Sequence, residues 1–122
     1  MRAPYRLGLL LAALSCTAPA HAQDLLTVNP QSALNHAGER IIVCGRVASA
    51  NFAADKSLVL AIDYPYPGQM FSMQILAVDR AKFGAPELSL LDKRVCGTGT
   101  IQVIQGRAQM TLRDPNQLVL QQ

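Results

Sequence analysis

The sequence predicts an all-β domain with short helices: a five-stranded Greek-key barrel of the OB-fold type, with a helix between strands three and four. Three observations predict it. Apolar and polar residues alternate in separate segments after Arg40, at the two-residue period of a half-buried strand. The alternation breaks between the third and fourth segments, from Asp79 to Leu91, where an OB fold carries its helix. Val-Cys-Gly is also written twice, placing Cys44 and Cys96 on the first and fourth strands, which such a barrel joins.

Each element has a local cause. Asn29-Pro30 reads as a helix start, with Asn as cap and Pro at the first helical position. Ala33, Leu34 and Ala37 form a short apolar stripe that Gly38 ends. Strand one follows from Arg40, with Ile41, Val43 and Val47 inward and Cys44 and Arg46 outward. Gly45 interrupts it and predicts a bulge or sharp bend, and the glycine after each cysteine is expected to let its strand coil. Strand two is "SLVLAID", with Leu58, Leu60 and Ile62 on one face; strand three is "MFSMQIL", with Phe71, Met73 and Ile75 inward. Between them, Asp63 to Gly68 ("DYPYPG") is a turn. Asp79 is expected to cap a helical turn through Phe83, ended by Gly84 and Pro86. Strand four runs from Lys93 to Ile104, with Val95, Ile101 and Val103 inward and Cys96 outward. Gln105-Gly106-Arg107 is a tight hairpin turn into "AQMTL", and "QLVL" follows the break at Asp114-Pro115-Asn116.

The first 22 residues are expected to be a secretory signal peptide, leaving one domain over 23–122. Arg2 and Arg6 supply the positive end, Leu7 to Leu14 the short apolar run, and Ala20-His21-Ala22 the small-residue cleavage site. The rival reading makes Cys16 a lipid-modified cysteine in "ALSC". No later segment has the roughly 20 apolar residues of a membrane helix, so no membrane insertion is expected and the chain is placed in the periplasm or secreted. Removal of Arg2 and Arg6 leaves nine basic against eight acidic residues, a net charge of +1. Composition therefore lacks the clustered basic footprint of a strong nucleic-acid binder.

Two cysteines remain, an even count in an oxidising setting, and a disulfide is expected between them. It would staple strand one to strand four from outside. Neither "CGRV" nor "CGTG" has the spacing of a redox pair. A lone His36, expected on the solvated surface, cannot complete a zinc site. No metal, no cofactor and no enzyme activity are expected: the chain has no Ser-His-Asp arrangement, no G-x-S-x-G elbow and no paired histidines.

Four stretches, "HAGERIIVCGRV", "DYPYPGQMFSMQI", "DRAKFGAPE" and "KRVCGTGTIQVIQGRAQMTLRDPNQL", resemble a family of small exported bacterial OB-fold domains, over about Asn29 to Leu120. The chain departs from that pattern at "SLVL", where the family carries a Thr-Phe pair, and at "VIQGRAQM", where its turn is richer in Tyr and Lys. The resemblance implies an OB fold that binds nucleic acid, since related domains accompany secreted nucleases.

OB folds bind along strands two and three and the loops after strands one and four. That rule selects Arg46, Phe52, Lys56, Tyr64, Tyr66 and Arg107 as candidate ligand-binding residues: aromatics to stack on bases, cations for the backbone. Phe52 and Lys56 sit in the polar, flexible-looking "ASANFAADKS", Tyr64 and Tyr66 in the Pro-rich turn, and Arg107 at the hairpin tip. Each also has a bland reading: the two tyrosines as a plug for the barrel end, Phe71 and Phe83 as core, Arg80 and Lys82 as a solvated helical face. Two functions follow. One is a non-catalytic exported module for single-stranded DNA or RNA; the alternative is a module for an envelope protein or an oligosaccharide.

Overall fold

The computed structural model describes residues 24–121; the expected leader and Cys16 lie outside the described residues. Among the described residues seven strands form where five were expected: β1 (Thr27–Val28), β2 (Arg40–Phe52), β3 (Leu58–Ile62), β4 (Phe71–Ile75), β5 (Arg94–Ile104), β6 (Arg107–Thr111) and β7 (Leu118–Leu120). The five expected strands are β2 to β6. The additional two are two and three residues long, too short to show an alternation, and exist through their neighbours. β1 pairs parallel to β2, and β7 lies antiparallel to β5 beside Cys96.

The pairings order the sheet β1-β2-β3-β4-β6-β5-β7, with a further antiparallel pairing of β2 with β5. They therefore run from β2 through β3, β4, β6 and β5 and return to β2. Within that circuit every pairing is antiparallel except β4 with β6, which pair in parallel from Phe71↔Ala108 to Gln74↔Thr111. A short 3-10 helix (Pro30–His36) packs against β2, β4, β5 and β6. Asn29 caps it, its side chain accepting from the Ser32 N–H at 3.0 Å, and Gly38 leaves it at φ 82°, a left-handed backbone that suits glycine. His36 is not a free surface residue: Nδ1 meets Glu39 Oε1 at 3.0 Å.

The inward residues of β2, β3 and β4 are as the alternation predicts. Ile41, Val43 and Val47, then Leu58, Leu60 and Ile62, then Phe71, Met73 and Ile75 are all buried. Each large apolar side chain so buried stabilises the fold by about 1.5–3 kcal/mol before the entropy of ordering it. Val103 departs from the pattern and is exposed. It lies past Ile101, on the arm of β5 that pairs with β6 alone.

Cys44 and Cys96 face each other across the β2–β5 seam and are bonded, S–S 2.06 Å. The glycines that follow them have neighbours too close for a side chain. A Cβ on Gly45 would run into the Ile62 side chain and come within 2.8 Å of Asp63 Oδ1 and 2.9 Å of Pro30 Cγ; one on Gly97 would lie 2.7 Å from Met73 Cε. The cysteines hold the strands together outside while the glycines make room inside. The register shift of β2 lies between Val47 and Ser49 rather than at Gly45. There β2 leaves β5 and takes β3 as its partner.

Asp79 is not a cap. The helical segment is a 3-10 helix (Ala77–Phe83) with Leu76 at its cap position and no side-chain cap bond. Asp79, nearly buried in its third position, pairs with Lys82 Nζ at 2.9 Å. Lys82 also donates to the Arg113 carbonyl at 3.2 Å, so it braces the helix to the β6 exit instead of standing free. A single turn, α1 (Pro86–Ser89), leads on towards β5. Before β7, Gln117 accepts from the Arg113 and Asp114 N–H groups and donates to the carbonyls of Thr98 and Thr111, anchoring the C-terminal strand.

Candidate functional site

The loop after β2 is closed by hydrogen bonds of its own. Phe52 and Leu58 are its last paired residues. Within it the Ala53 N–H donates to the Ser57 carbonyl (2.8 Å), the Lys56 N–H to the Ala53 carbonyl (2.9 Å) and the Ser57 N–H to the Asp55 carboxylate (2.9 Å). The Ser57 N–H holds the exposed Asp55 carboxyl below its usual value of 3.8, because it favours the charged form. Lys56 closes the loop with φ 72°, in the left-handed region.

This loop presents Phe52, half-exposed at 49%. Arg80, from the helix after β4, lies over its ring with Cζ 4.4 Å from the centroid, and donates from Nη1 to the Lys56 carbonyl at 3.3 Å. The expectation of a solvated helical face for Arg80 is corrected by this contact. Phe52, Ala53, Lys56 and Arg80 wall a depression of about 330 Å³.

Phe52 and Ala53 also belong to a second depression, of about 260 Å³, with Asn51, Val59 and Tyr66. Val59 and Tyr66 in turn wall a third, of about 440 Å³, that includes Gln69, Ser72, Arg107 and Gln109. Tyr66 is fixed by its backbone, whose N–H donates to Ser49 Oγ at 3.0 Å, and its side chain is exposed at 60%. Arg107 follows Gln105 and Gly106, both at positive φ (53° and 77°), the backbone of a two-residue hairpin turn that aligns with strand twist. Gln109 donates to the Gln74 side chain across the parallel pair. Gln69 is 7% exposed and its Oε1 has no partner among the described residues.

Of the six residues expected from sequence, Phe52, Lys56, Tyr66 and Arg107 therefore line one chain of adjoining depressions. The other two do not join them. Arg46 is held in an ion pair with Asp92 (Nη1 to Oδ1, 2.8 Å) at the end of the β2–β5 seam. Tyr64 is exposed but lines none of the three depressions. Sequence reasoning missed Asn51, Val59, Gln69, Ser72, Arg80 and Gln109. Ser72 and Gln109 were visible as outward positions on alternating strands. Their meeting depends on the parallel register of β4 and β6, which no local signal carries.

Among the described residues no cluster of His, Cys, Asp or Glu could hold a metal ion, and no helix is long and apolar enough to cross a membrane.

Solved structures share this fold, 42 chains among them. A protein described as "OBody AM2EP06 bound to hen egg-white lysozyme" superimposes with a TM-score of 0.57 at 10% identity, covering 83% of this chain and 96% of that one. A second OBody, AM1L10, also bound to hen egg-white lysozyme, gives 0.51 at 17% identity, over 71% and 83% of the two chains. An aspartyl-tRNA synthetase structure from Leishmania major Friedlin gives 0.58 at 5% identity, covering 88% of this chain and 23% of that longer one. The fold is an OB fold. At these identities the likeness shows the fold alone. No family model and no curated protein matches the chain.

Proposed function

We propose that this chain is an exported, non-catalytic OB-fold module that binds single-stranded nucleic acid along the surface from Lys56 to Arg107. One observation carries the reading: the three depressions share walls, so that Phe52 and Tyr66 stand in a single track with Lys56 and Arg80 at one end and Arg107 at the other. Aromatic platforms with flanking cations are what a single strand needs, since every base has a face to stack and every linkage a charge to meet. The Cys44–Cys96 bridge suits an oxidising compartment, and the sequence resemblance points the same way.

The test is anisotropy of a labelled single-stranded oligonucleotide with the 23–122 chain at about 50 and about 200 mM salt. Three phosphate contacts on a single strand predict a log–log salt slope near −2, an affinity loss of about 20-fold across that range. Absence of binding at the lower salt overturns the reading. The second reading, a protein-binding or oligosaccharide-binding module, is favoured by the low net charge of +1 outside the expected leader. The OBody complexes with lysozyme support a protein partner for such a fold. It predicts binding almost independent of salt.

A further inference from the structure

We propose that Lys56, Arg80 and Phe52 form a phosphate subsite, one that takes the phosphoryl group of a nucleotide whose base lies on the Tyr66 side of Phe52. The inference rests on the nucleic-acid reading above and assigns Arg80, which sequence reasoning had left on a solvated face.

Two cations meet in the first depression, and no carboxylate is within ion-pair distance of either among the described residues. Its remaining walls are Phe52 and Ala53, so no acidic residue lines it. Arg80 is already positioned. The Phe52 ring lies against its guanidinium, and one N–H is spent on the Lys56 carbonyl. A guanidinium carries five N–H donors in a rigid plane, and the others match the spacing of phosphate oxygens. Little side-chain freedom is left to lose on binding.

Lys56 supplies an independent observation. Its φ of 72° puts a long, charged side chain where glycine or asparagine would sit at less cost. Lys56 lines the same depression as Arg80, and its backbone carbonyl accepts from the Arg80 guanidinium. Phe52 then divides the work, since it also walls the neighbouring depression with Asn51, Val59 and Tyr66. Phosphate on one side of the ring and base on the other is the reach of one nucleotide.

Arg80→Gln keeps an amide donor for the Lys56 carbonyl and removes the charge; Lys56→Gln removes the other charge. Each is expected to weaken oligonucleotide binding about tenfold, the loss of a charged hydrogen bond. Each should also flatten the salt slope by about 0.7, the single-strand value for one phosphate. Arg80→Lys should recover most of that slope. A residue that merely braced the loop would weaken binding and leave the slope unchanged, and that result overturns the subsite. Phenyl phosphate is the second probe: it should shift the NMR signals of Phe52 and Arg80 where benzyl alcohol does not. If the parent binds the oligonucleotide and neither the slopes nor these signals move, the subsite fails and the strand reading stands. If phenyl phosphate binds there and the oligonucleotide does not, the subsite stands and the strand reading fails.

Discussion

From Arg40 to Arg46, β2 is paired along β5 and, at Ile42 and Val43, also with β1; from Ser49 to Phe52 it pairs with β3 alone. The first half carries the disulfide and a glycine with no room for a methyl group, and its inward side chains are fully covered. The second half ends in an aromatic ring half in water and a loop closed by a left-handed lysine. On the proposed function, one strand divides its length between holding the molecule together and meeting a partner, and the register shift between Val47 and Ser49 is the border. Damage to one half should read out in stability, and damage to the other in binding.

The largest expected effect is on the first half. Replacing Cys44 and Cys96 by alanine removes a bridge that spans 52 residues and should cost on the order of 4 kcal/mol in urea denaturation. Oligonucleotide affinity at 25 °C should stay within about twofold while the chain remains folded; a parallel loss of affinity would erase the division. Gly45→Ala should cost about 1–3 kcal/mol, because the branched Ile62 side chain and the Asp63 carboxylate cannot both withdraw. Gly97→Ala should cost less, since the obstructing group is the flexible end of Met73.

The second half should answer in the other currency. Phe52→Ala and Tyr66→Ala are each expected to lower affinity by about 1–3 kcal/mol in anisotropy titrations with little change in the denaturation midpoint. Tyr64→Ala should change neither, because Tyr64 stands outside the track; an equal loss there would move the site to the Pro-rich turn. The smallest effect concerns Asp55. Its folded-state value is depressed, so its hold on the Ser57 N–H is complete at higher pH and is lost as pH falls through that depressed value. The Ser57 amide signal should therefore titrate with a midpoint below 3.8, and a midpoint above it would mean the loop is not braced there.

Much of the first half was legible in the sequence, and less of the second. Strand alternation is a local signal, and it placed Ile41, Val43, Leu58 and Met73 inward without any knowledge of their neighbours. Cys44 and Cys96 were legible because alternation, oxidising context and the expected seam agreed. The bend was misplaced at Gly45 because glycine reports two things, freedom of the backbone and want of space, and here it reports the second. Arg80 was illegible for another reason: nothing within its own helix distinguishes it from Lys82, and only the fold carries it across to Phe52. The grouping of Tyr66 with Arg107, and the exclusion of Tyr64, likewise depends on a turn and a hairpin that are distant in sequence.

The parallel pair of β4 with β6 has a consequence in time. Phe71 meets Ala108 only after the intervening helix and β5 have been laid down, so this rung costs more loop entropy than the β2–β3–β4 and β5–β6 hairpins, which close locally. The third depression straddles that rung, with Ser72 on one strand and Gln109 on the other. During refolding, oligonucleotide binding should therefore appear after the bulk of the β signal in circular dichroism. A chain that has made its hairpins but not this parallel pairing would carry the aromatics and the cations without the surface that aligns them.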